Sequence, residues 1–178
     1  MARHPRLHPL RIINAPSDDA LFELLSQELQ DRLGEVSRDS DALHQTLVRL
    51  PRGLRAMGAT HPLDVSMAVD DLGWHFGNWP SKPLAEETLT GLKELGATEE
   101  AEIFEAALSH ALKYWDFICS SDFHDAYSLS ALDHAMQPLN RRLWALLGYD
   151  GGSGKNLLSY WVPYARAHPE LVCPVHAD

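Results

Sequence analysis

Residues able to do chemistry are sparse in this chain, so their spacing decides what they could do. Asp122, Phe123, His124 and Asp125 form the tightest metal-like cluster, because an imidazole and carboxylates close together can hold a divalent ion. With His75 as a further candidate ligand, His124 and Asp125 would make a metal-dependent hydrolase. Ser120, Ser121 and Asp122 precede the pair, however, where such a site would follow an apolar helical run. The cluster therefore reads as a surface loop, and neither a metal nor a cofactor is expected.

Gly151, Gly152 and Gly154 ahead of Lys155 superficially suggest a phosphate-binding loop, whose backbone amides cradle phosphate before a lysine. The spacing fails, because Tyr149 stands where the first glycine belongs and Asn156 replaces the hydroxyl that would bind magnesium. No serine has a histidine and an aspartate at recognisable local spacing. Trp74, Phe76 and Trp79 could stack on a base or a sugar, but no basic residue is interleaved with them, so they read as a packed aromatic corner.

Carboxylates are the remaining functional groups, and they are unevenly distributed. The formal net charge of the 178 residues is −10. Residues 1–60 carry eight Lys/Arg and eight Asp/Glu, which cancel, whereas Asp64 to Asp133 holds fourteen acids against Lys82, Lys93 and Lys113, a difference of −11. Such a field repels nucleic acid and attracts basic proteins or cations. The same charge would also serve as a solubilising surface. The candidate binding face comprises Asp70, Asp71, Glu86, Glu87, Glu94, Glu99, Glu102 and Glu105.

Helices must position that face. Pro83 favours a helix beginning near Lys82 behind an N-cap at Ser81, with Leu84, Ala85, Leu89, Leu92 and Leu95 on one stripe, Glu86, Glu87, Thr90, Lys93 and Glu94 opposite, and Gly96 as terminator. Thr98 caps the next helix, with Glu99, Glu100 and Glu102 in its first turn, where the helix dipole favours carboxylates. Its inward face runs from Ile103 through Leu112 to Trp115. The Gly96–Ala97 link permits a central antiparallel hairpin or a steep crossing.

Elsewhere Ser17 caps a helix closed by Gly34, and Asp39, Ser40 or Asp41 starts another that Pro51 breaks. Residues 51–62 read as a connector. A helix follows from about Leu63 to Leu72, ending at Gly73 before an aromatic turn over 74–80. Residues 120–128 read as a polar loop, and Ser130 with Asp133 opens a helix to Leu147 that Pro138 should kink or split. After a flexible turn at 148–154, a last helix spans 156–168, interrupted by Pro163. Residues 1–16, with Arg3, Arg6, Arg11, Pro5, Pro9 and Pro16, read as an irregular arm, and 17–178 as a single compact all-α domain of about six to eight helices.

Composition adds exclusions. No run approaches the roughly 18 apolar residues of a membrane helix, and residues 1–19 lack the apolar core of an export signal. A cytoplasmic protein that does not engage the membrane is expected. Cys119 and Cys173 are too far apart in sequence to suggest a zinc site or a disulfide framework.

The run DDLGWHFGNWPSK, followed by ETLTGLKELGATEEAEIFEAAL, resembles the small bacterial DNA-mimic protein family over about residues 63–112. The resemblance rests on Gly73, the aromatics Trp74, Phe76 and Trp79, Asn78, and Gly96 with Ala97. This chain has Asp71 and Leu72 where the family commonly has Asn and Gly. The resemblance implies a helical fold and, for one branch, a dimeric acidic protein that occupies the DNA-binding face of a transcription factor. A non-enzymatic interaction protein is thus expected, with a basic DNA-binding regulator as partner. The alternatives are an immunity-type inhibitor of a basic toxin or nuclease, and the hydrolase above.

Overall fold

The computed structural model describes residues 7–34 and 39–173. Among these residues there are twelve α-helices, two 3-10 turns and no strand. Six helices are long: α2 (Asp18–Leu33), α3 (Ser40–Leu47), α4 (Arg52–Val69), α6 (Lys82–Leu95), α7 (Thr98–Lys113) and α10 (Ala131–Leu147). Six are short: α1 (Pro9–Ile13), α5 (Leu72–Asn78), α8 (Trp115–Ile118), α9 (Phe123–Ala126), α11 (Trp161–Ala167) and α12 (Pro169–Val172). No helix among the described residues is long and apolar enough to cross a membrane.

Local sequence rules place most of the long helices. Ser17 Oγ accepts the Ala20 N–H, Asp39 Oδ1 accepts from Asp41 and Ala42, and Ser130 Oγ accepts from Asp133, each supplying an acceptor that the first helical turn lacks. Gly96 and Gly148 end α6 and α10 in the left-handed region. Ser81 occupies the N-cap of α6 as expected, though its side chain makes no capping bond, and Ala97, not Thr98, occupies the N-cap of α7.

The connector expected over 51–62 is instead the first half of α4. This 18-residue helix buries twelve of its residues, and tertiary packing overrides the local helix-breaking tendency of Gly53, Gly58 and Pro62. A Cβ at Gly58 would lie 2.6 Å from the Leu47 side chain, and one at Gly53 2.8 Å from Tyr164 and Val172. These glycines let neighbouring elements close on the helix. Leu54, Ala56 and Met57 belong to a core shared with α1, α2, α11 and α12, whereas Leu63 and Met67 belong to a second core with α5, α7 and α10. One helix, about 27 Å long at 1.5 Å per residue, thus joins both cores.

The helix ends at Val69, ahead of the expected Leu72, and Gly73 is no terminator. The aromatic turn is α5, capped by Asp71, whose carboxylate accepts from Trp74 N–H at 2.9 Å and from Tyr127 Oη at 3.0 Å. Asn140 Oδ1 on α10 accepts the Leu72 N–H. Gly73 and Gly77, one turn apart, leave a flat strip for two rings: a Cβ would meet the Tyr127 hydroxyl at 1.9 Å or the Phe123 ring at 2.1 Å. Those rings stack with centroids 5.1 Å apart. The expected polar loop at 120–128 is therefore α9 and a 3-10 turn (Tyr127–Leu129), because Phe123 and Tyr127 are buried.

The hairpin expected from the Gly96–Ala97 link brings α6 against α7, and α6 also lies close along α4. Thr88 Oγ1 donates to Ala59 O, and a Cβ at Gly91 would fall 2.9 Å from Ala56 O. Leu112 is exposed, contrary to its expected inward position. Pro138 stands on the exposed side of an unbroken α10, so it does not split that helix. The last expected helix is a 3-10 turn (Leu157–Tyr160) followed by α11, with Pro163 in the first turn of α11, where its missing N–H has no intrahelical partner.

Part of the arm expected to be irregular is structured. Pro9 begins one helical turn, His8 Nδ1 accepts the Leu10 N–H, and Ile12 is fully buried. Arg166 of α11 donates to Ile12 O, Ala15 O and Asp18, while Cys173 Sγ donates to Leu7 O. Arg3, Pro5 and Arg6 lie outside the described residues.

Candidate acidic binding face

Of the fourteen acids between Asp64 and Asp133, eight are exposed: Asp70, Glu86, Glu99, Glu102, Glu105, Asp116, Asp122 and Asp125. Lys82, Lys93 and Lys113 are the exposed cations of the same stretch, which leaves a surface excess of five negative charges. Lys93 is already committed to Glu105 at 3.1 Å, and Lys82 lies 5.5 Å over the Trp115 ring. The spacing of Glu99, Glu102 and Glu105 on α7 gives a carboxylate about every 4.5 Å along the axis.

Three residues expected on this face do other work. Glu87 is only 6% exposed and is gripped by Arg55 through two hydrogen bonds, one of 2.6 Å. Its helical period is polar, but the side chain points into the α4–α6 contact, where Arg55 supplies the compensating charge that burial requires. Glu94 is half-buried, held by Arg52 at 2.7 Å and by the Tyr164 hydroxyl. Asp71 is half-buried as the α5 cap, and desolvation raises its carboxyl above the usual range despite the bonds from Trp74 and Tyr127.

Glu100, expected at the start of α7, is also buried and accepts from the Tyr160 hydroxyl at 2.8 Å. Burial and this carboxylate push the Tyr160 hydroxyl up to about 12. Sequence reasoning left Asp116, Asp122 and Asp125 out of the candidate face. Their exposure follows from α8 and α9, which are too short to show a helical period.

The candidate metal residues do not come together. His75 is buried, its Nδ1 3.0 Å from Ser66 Oγ, and burial lowers its imidazole to about 3. Ser66 Oγ also reaches Pro62 O at 2.8 Å, so the imidazole, the hydroxyl and that carbonyl form one buried polar cluster. His124 is exposed and stacks on Trp74 at 5.3 Å, and Asp125 is exposed on the same turn. No group of three or more His, Cys, Asp or Glu among the described residues could hold a metal ion. Phe76 is fully buried and Trp74 and Trp79 are partly so, while Asn78 is exposed at the end of α5. The Gly148–Gly154 turn is followed by a 3-10 turn, and the Lys155 N–H is spent on Leu146 O.

The family described as DMP19-like protein matches residues 48–168. This segment runs from the end of α3 through α11 and contains every residue of the candidate face. No curated protein and no solved structure matches the chain.

Proposed function

From its membership of the DMP19-like protein family, a family of DNA mimics, we propose that the chain is a non-enzymatic mimic whose acidic face occupies the DNA-binding surface of a basic regulator. The observation that carries this reading is the set of exposed carboxylates Glu86, Glu99, Glu102 and Glu105 on α6 and α7, with Asp70 at the end of α4, on helices that pack into a common core. Rigid mounting matters because ordering a flexible acidic chain on a partner would cost conformational entropy.

Charge density tests the reading quantitatively. Duplex DNA carries one charge per roughly 1.7 Å of axis, against about 4.5 Å per carboxylate along α7. A single helix therefore falls well short, and Glu86 on α6 with Asp116 on α8 would have to fill in. Contacts of this kind are screened over about 8 Å at physiological salt.

Affinity capture from source lysate at low and high salt, with duplex DNA as competitor, is the test. The expected result is a basic DNA-binding protein retained at low salt and displaced by both salt and DNA. Changing Glu99, Glu102 and Glu105 to Lys should abolish its retention; a captured set that ignores the triple reversal would sink the assignment of this face. Self-association belongs to the same reading, and sedimentation across a range of protein concentrations should show a dimer.

A further inference from the structure

We propose that α7 and α10 together form a self-complementary face on which a second copy of this chain docks. The two helices pack along each other in one core. Leu146, near the end of α10, lines a recess with Thr98, Glu99 and Glu100 at the start of α7, so the helices run antiparallel and the exposed edge of α7 adjoins α10. Their exposed crests carry opposite charge. On α7, Glu99 and Glu102 are exposed and make no ion pair, whereas Glu105 is held by Lys93. On α10 the exposed cations are Arg141 and Arg142, and neither makes an ion pair among the described residues.

Helix geometry sets the register of these charges. Arg142 is four residues, about 6 Å, before Leu146 and stands on the same side of α10. Glu102 is four residues past Thr98, the same rise into α7. The carboxylate and the guanidinium therefore stand at about the same level on adjoining crests, and Glu99 and Arg141 extend the two charges. A two-fold axis running along the seam between the helices turns one copy over and leaves each level unchanged. It brings the acid strip of each copy onto the arginine strip of the other, the reciprocal pairing of an isologous interface. Ala106, Pro138 and Ala145 are exposed on the same crests, and their short side chains permit close approach.

Charge complementarity selects this occupant. A nucleic acid would meet Glu99 and Glu102, and a basic surface laid across both helices would meet Arg141 and Arg142; a copy of the same face satisfies both strips. The net charge of −10 opposes any pairing of copies, but at about 0.1 M salt charges more than about 10 Å apart are screened while contacts across the seam persist. Docking covers Glu99 and Glu102, so a second copy would compete with the basic regulator proposed above. That competition rests on the mimic reading, whereas the pairing of copies does not, and the experiment reads the pairing alone.

Sedimentation equilibrium of the full chain at about 0.1 M salt and up to about 1 mM protein should show a dimer that about 1 M salt dissociates. Glu99→Arg with Glu102→Arg should give one monomeric variant, and Arg141→Glu with Arg142→Glu another. Both should keep their helical circular dichroism, because all four positions are exposed. Mixed in equal amounts, the two variants should form a heterodimer, and a chain carrying all four changes should dimerise with itself. Restoration is the decisive result, since added charge alone can abolish a dimer but cannot rebuild one. A wild type that stays monomeric at about 1 mM would overturn the proposal. So would a dimer that neither variant disturbs, which would place self-association on another face, or variants that remain monomeric when mixed.

Discussion

At the scale of single residues, His75 shows how a group capable of chemistry becomes a structural one. Enclosed by Ser66, Phe76 and Phe104, it is neutral in the fold, with a value of about 3 against 6.5 for a free imidazole. Its contribution to stability is complete above about pH 6.5 and is lost as pH falls toward 3, at up to about 1.4 kcal/mol per pH unit. Asp64 and Asp71 act in the opposite sense, because burial raises their carboxyls and the fold takes up their protons first. Replacing His75 with Asn isolates its share: acid unfolding followed by circular dichroism should show a shallower loss between pH 6 and 4 than in the wild type. Gly73→Ala should cost roughly 3 kcal/mol by chemical denaturation, at the upper end for overpacking, since the new methyl meets Tyr127. The sequence marks Gly73 as punctuation, and only the ring against it reveals its purpose.

Among the elements, α4 was least legible and α2 most. Ser17, Asp18, Asp19 and Gly34 announce α2 through interactions within a turn of their own positions. In α4, Gly53 and Gly58 are local contradictions resolved by Tyr164, Val172 and Leu47, which lie far away in the chain or beyond the helix. The same gap explains the misplaced acids. Glu87 and Glu94 sit on the polar stripe of α6, but their partners Arg52 and Arg55 come from the segment that reads as a connector. Truncating Arg55 to Ala should leave the buried Glu87 carboxylate without its partner and cost about 1–3 kcal/mol, seen as a lowered thermal midpoint. Glu102→Lys on the exposed stripe of α7 should leave that midpoint nearly unchanged, within about 0.5 kcal/mol. The pair of variants separates acids that hold the fold from acids available to a partner.

Across the whole molecule, the surface charge that would attract a partner also repels itself. With a net charge of −10, added salt should screen this repulsion, and the thermal midpoint should rise between low and moderate sodium chloride in differential scanning fluorimetry. Partner binding should fall over the same range, so stability and affinity would move in opposite directions. The sign and the region of the charge were visible in the sequence. Its division into eight exposed acids and six wholly or partly withdrawn ones was not, because withdrawal depends on cations and hydroxyls brought from α4, α11 and the 3-10 turns.

The contact between Cys173 and Leu7, reinforced by Arg166 on Ile12, Ala15 and Asp18, closes the described chain into a near-ring. Order along the polypeptide is then separable from arrangement in space. A gene rearranged to join residue 173 to residue 7 through a short linker, and opened between the exposed Gly151 and Gly152, would encode the same helices in the same embrace. The acidic helices would then come after α11 and α12 and still before α10, their order set by where the circle is cut.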